Sequence, residues 1–86
     1  MFIRKLKVEC IDDSGNAHPC PIRHLDSFSM RNFTNDAIFD DMLPVSDGLL
    51  EAGNRVPIDL LMEKMTDWFH RKSYLKPSEK LRISEL

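Results

Sequence analysis

The 86-residue chain has no apolar run approaching the roughly 18 residues that a membrane-crossing helix needs. Its opening residues, Met1-Phe2-Ile3-Arg4-Lys5, put charge where a secretory signal would have its apolar centre. These two absences lead us to expect a cytoplasmic protein without a membrane partner. Two cysteines, Cys10 and Cys20, are too few for a disulfide scaffold, and without an export signal they are expected as reduced thiols. The chain also lacks a G-x-S-x-G elbow, a P-loop, a G-x-G-x-x-G turn and an H-E-x-x-H pair. No internal repeat, low-complexity tract or dividing linker is present. So small a chain buries only about 60–65% of its unfolded surface, and a pocket for a large cofactor would consume much of its core. The sequence therefore argues against an enzyme and against a resident cofactor.

What is present is the composition of an ordinary folded domain, since 42% of residues are hydrophobic and 30% charged. Residues 1–86 are expected to form one domain. The longest periodic stretch runs from Val56 to Tyr74 and holds the single tryptophan. Ile58, Leu61, Met62, Met65, Trp68, Phe69 and Lys72 recur at helical spacing, with Asp59, Glu63, Lys64, Thr66, Asp67, His70 and Arg71 on the opposite side. Pro57 suits the first turn, and the helix is expected to end near Ser73.

Around this helix the remaining segments read as follows. Phe2 to Ile11 alternate as a half-buried strand, with Leu6, Val8 and Cys10 on one face. Asp12-Asp13-Ser14-Gly15-Asn16 is a turn, and Ala17 to His24 could return as a second antiparallel strand. Pro19 and Pro21 restrict that return to an edge or an irregular extension. His24 to Phe33 suits either an extended segment or a helical turn. Thr34 reads as the N-cap of a short helix, Asn35 to Leu43, which Pro44 ends, and Ser46 to Gly53 as a further turn of helix. Ser78 to Leu86 could pair as a third strand or form a loose final turn. The expected fold is α+β, with an N-terminal β-hairpin and a possible C-terminal strand packed on one long amphipathic helix with one or two short helices.

Charge is unevenly spread. Arg4, Lys5 and Lys7 open the chain without an acid, and residues 8–54 hold nine acids against Arg23 and Arg31. Residues 55–86 hold seven bases against five acids. The acids Asp36, Asp40, Asp41, Asp47 and Glu51 lack the alternating spacing of a calcium loop and read as solvated surface or as a face for a basic protein. Arg71, Lys72, Lys76, Lys80 and Arg82, near Trp68, Phe69, His70 and Tyr74, form the basic–aromatic set that a nucleic-acid reading would use. Trp68 and Phe69 fall on the apolar helix face, however, and the sequence pI near 5.8 is unlike that of a nucleic-acid-binding domain.

Cys10, His18, Cys20 and His24 are the residue types of a structural zinc site, and a closed hairpin would set Cys10 across from His18 to Cys20. Their C-x7-H-x-C-x3-H spacing is not that of familiar zinc modules, and small buried thiols with surface or edge histidines are the first reading of them. Met62 and Met65 are adaptable packers, suited to core or to a partner groove.

The first expectation is a small non-enzymatic protein-binding module. It would be an accessory, regulatory or inhibitory factor of the kind phages and mobile elements encode. It would act through its acidic segment, or by self-association into a homodimer through spare apolar surface. A nucleic-acid-binding protein and a zinc-stabilised hairpin are the alternatives.

Overall fold

A computed structural model describes residues 4–33, 35–42 and 57–86. The expected N-cap Thr34, the Ser46–Gly53 turn and the acids Asp47 and Glu51 lie outside the described residues. The α+β fold is an antiparallel four-stranded sheet with one long helix and short helices in a single domain.

The first strand, β1 (Lys5–Ile11), is the centre of the sheet because both of its edges are paired. On one edge, β2 (Ala17–Pro19) pairs with its C-terminal end and β3 (Ser27–Ser29) with its N-terminal end. On the other edge, β4 (Lys80–Glu85) runs antiparallel along almost its whole length, from Leu6↔Glu85 to Ile11↔Lys80. The C-terminal segment is thus a strand, and a fourth strand, β3, settles the ambiguous stretch after His24.

The return strand is shorter than its Ala17–His24 span suggests. It stops at Pro19 because neither Pro19 nor Pro21 can donate to a ladder. A 3-10 turn, Arg23–Leu25, follows instead. The β1–β2 turn is held by Asp12, whose Oδ1 accepts the backbone N–H of Ser14 and of Asn16, both at 2.9 Å. Gly15 takes the positive φ of 85° that this closure requires.

Helix α1 (Met30–Phe33) follows β3 directly, and α2 (Ala37–Met42) begins after Asp36. Asp36 supplies the α2 cap, because its Oδ1 accepts the Ile38 N–H at 2.8 Å. The long helix, α3, spans Ile58–Arg71, with Pro57 just outside its first turn.

The helix α3 stops two residues before the sequence suggests, and the reason is local. Tyr74 N–H bonds to the Phe69 carbonyl at 2.8 Å and Ser73 N–H to the His70 carbonyl at 3.1 Å. This is the Schellman arrangement, with Ser73 in the left-handed position at φ 64°. Lys72, assigned to the apolar face by spacing, is consequently exposed past the last turn.

Every second residue of β1, Leu6, Val8 and Cys10, is buried with Leu81 and Ile83 of β4. Leu61, Met65, Trp68 and Phe69 of α3 cover this face, and Leu25, Met30, Phe33, Phe39 and Met42 complete the core. Phe33 and Phe39 meet edge to face at 5.3 Å. Among the described residues no helix is long and apolar enough to cross a membrane.

Candidate functional site

The β1–β4 ladder fixes which way the β4 backbone points. Leu86 N–H bonds to the Lys5 carbonyl, so by the period of two the even residues of β4 face β1 and the odd ones face outward. The outward groups belong to Glu79, Leu81, Ile83 and Glu85. Such a row is a template for another strand unless something covers it.

Helix α3 covers the first part of it. Thr66 Oγ1 accepts the Leu81 N–H at 3.2 Å, and His70 Nε2 lies 2.7 Å from the Glu79 carbonyl oxygen and donates to it. The match is geometric. Four helical residues advance about 6 Å and two strand residues about 6.6 Å, so a row of α3 side chains can follow the edge. The next member of the row is Met62, whose thioether is at best a weak acceptor. The edge groups of Ile83 and Glu85 accordingly meet no polar partner among the described residues.

Beside this edge lies an open groove of about 410 Å³, lined by Asp59, Met62, Glu63, Thr66, Asp67, His70, Lys80 and Leu81. Asp59, Glu63 and Asp67 are spaced by four and form one acidic ridge along α3. Asp67 is partly neutralised by Arg71 Nε at 3.2 Å, whereas Asp59 and Glu63 have no ion pair among the described residues. Met62 and Leu81 supply the apolar part of the wall.

The residues singled out in the sequence are distributed differently. Cys10 stands across from His18 in the ladder, as a closed hairpin requires. The four zinc candidates nevertheless do not converge. His18 Nε2 is 2.7 Å from Asp12 and His24 Nε2 is 2.9 Å from Asp36, while both thiols are free and buried. Among the described residues no group of three or more metal-ligating side chains is gathered to hold an ion. Burial, aided by the Glu79 carboxylate 3.6 Å from its sulfur, pushes the Cys10 thiol up to about 11. Burial raises Cys20 as well.

Of the described acids in the middle segment, Asp36 is spent on the α2 cap and His24. Asp41 accepts the Trp68 indole N–H and lies 3.8 Å from Lys72 Nζ. That indole hydrogen bond, before any nearby charge, holds the Asp41 carboxyl below its ordinary range. Of Asp36, Asp40 and Asp41, Asp40 is the one whose side chain has no hydrogen bond or ion pair among the described residues, and it is exposed.

The basic set is divided between two surfaces. Arg71 and Lys72 sit at the end of α3 against Asp67 and Asp41, with Lys72 also 5.9 Å from the centre of the Trp68 ring. Lys80 and Arg82 lie on the outward face of β4, and Lys76 lies in the loop between. Trp68 and Phe69 are core, and Tyr74, 48% exposed, stacks on Trp68 at 5.8 Å.

The helical period places Asp59, Glu63, Thr66, Asp67 and His70 on the polar side of the helix, and of these only His70 has a candidate role, beside the basic–aromatic set. The spacing by four was visible there. Their position beside the β4 edge was not, because it depends on a contact fifteen residues apart. The chain matches no protein-family model, no curated protein and no solved structure.

Proposed function

We propose that this protein is a small non-enzymatic protein-binding module that receives an extended, basic segment of a partner in the open groove between β4 and the acidic ridge of α3. The observation that carries the reading is that groove, along which Asp59 and Glu63 have no ion pair among the described residues. Thr66 and His70 satisfy the groups at Leu81 and Glu79, and the polar cover stops at Met62. A segment added there would gain main-chain hydrogen bonding at Glu85, the exposed outward-facing residue of β4, and alternate side chains would face the Asp59–Glu63 ridge. The ridge favours lysine or arginine at those positions. This keeps the expectation of a basic protein partner and moves its contact surface from the middle segment to α3. Among the described residues the exposed large apolar side chains are Tyr74 and Leu86. Self-association through apolar surface draws no support from these two.

The test is selection from a random displayed-peptide library against the immobilised protein. Enriched peptides should carry Lys or Arg at every second position and should lose binding to the Asp59→Lys/Glu63→Lys variant. Enrichment of acidic peptides, or retention by the reversed variant, would rule the reading out.

A further inference from the structure

The sheet has a second face, and its side chains follow from the pairing alone. Residues opposite each other in an antiparallel ladder share a face. On the side away from the core, Lys5 stands beside Ser29, Lys7 between Ser27 and Ser84, Glu9 between Pro19 and Arg82, and Ile11 between Ala17 and Lys80. No described helix packs on this side. Lys5, Lys7, Lys80 and Arg82 are all exposed there. Two carboxylates lie among them: Glu9, held by Arg82 at 2.9 Å, and Asp26, which lines the same hollow as Lys7 and Glu9.

The basic residues that begin the chain and those that end it, far apart in sequence, are thus brought side by side on adjacent strands. Ser27, Ser29 and Ser84 stand beside Lys5 and Lys7. The acids Asp59, Glu63 and Asp67 lie on the helical side of the molecule, so a chain of net charge −2 presents a cationic face and an anionic one.

We propose that this outer face docks the phosphate backbone of a nucleic-acid duplex. Three observations select that occupant. Lysine, arginine and serine are the donors that contact phosphate oxygens. Among its described residues the face carries no Phe, Tyr or Trp ring, so it offers no broad platform for stacking the bases of a single strand. Its large apolar side chain among the described residues, Ile11, is buried, so it offers nothing that would enter a lipid interface. Binding is independent of sequence, and it is confined to low or moderate salt because only three to four cations take part.

The probe is a short labelled DNA duplex of arbitrary sequence, followed by anisotropy across a salt series. A fourfold rise in salt should weaken binding about 40–150-fold for three to four phosphate contacts. The Lys5→Ser/Lys7→Ser variant should bind more weakly and lose only about 3–12-fold over the same range. Glu9→Gln should bind more tightly than the parent, since it frees Arg82. Circular dichroism on each variant confirms that the fold is kept. Absence of binding at low salt would overturn the proposal, as would a loss confined to Arg71→Ser/Lys72→Ser. Tighter binding to phosphatidylserine vesicles than to the duplex would overturn it in favour of a membrane surface.

Discussion

Single side chains in this protein are mostly engaged in holding the fold. Asp41 accepts the indole N–H of Trp68, a nearly buried donor that would otherwise have no partner. Asp41→Ala should therefore lower the midpoint of a urea titration, with a red shift of tryptophan emission. An unchanged midpoint would show that water replaces the carboxylate freely. The thiols make a second prediction. Cys10 and Cys20 are buried and their thiolate forms are disfavoured. Ellman's reagent should react slowly with native protein and release two equivalents on denaturation. Rapid labelling of the native state would contradict their placement in the core. The sequence showed both readings of these cysteines, as ligands and as small hydrophobes. It could not decide between them, because the choice depended on whether Asp12 and Asp36 would engage the two histidines.

At the scale of elements, the termini of α3 explain both what was legible and what was not. The helix itself was evident from the period of its apolar residues, and four of them, Leu61, Met65, Trp68 and Phe69, are buried. Its end was misplaced because the left-handed position is filled by Ser73, where glycine would have announced the stop. Ser73→Gly should raise stability by up to about 1 kcal/mol, since a non-glycine residue is strained in that conformation. A fall in stability would mean that the serine makes a compensating contact. The strand β3 was ambiguous because two of its three residues are serines, weak as a strand signal, and its pairing comes wholly from the free half of β1. The link between α3 and β4 was illegible for a related reason. Thr66 and His70 look like ordinary polar-face residues until β4 is set beside them. Thr66→Val keeps the shape and removes the acceptor for Leu81 N–H. It should cost about 1–3 kcal/mol and increase the exchange rate of that amide.

The whole molecule is organised by charge as much as by packing. Asp59, Glu63 and Asp67 form an acidic ridge on α3, and the central and edge strands present lysine and arginine to the other face of the sheet. Several carboxyls are held below their ordinary range. Arg82 does this for Glu9, the His18 ring for Asp12, and the Trp68 indole for Asp41. A carboxyl with a depressed folded-state pKa contributes stability above its unfolded value, and that contribution disappears as pH falls through the folded one. Stability from these three groups should be constant from neutrality down to roughly pH 4 and decline below it. Trp68→Phe should reduce the acid-dependent part, because it removes the donor that acts on Asp41. The most direct test of the docking surface is a titration of 15N-labelled protein with a synthetic peptide alternating lysine and serine, followed by amide chemical shifts. The account predicts shifts at Ile83 and Glu85 and along α3 from Asp59 to Asp67, absent in the Asp59→Lys/Glu63→Lys variant. Shifts centred on α2 or on the β1–β2 turn, with the β4 edge unmoved, would contradict it.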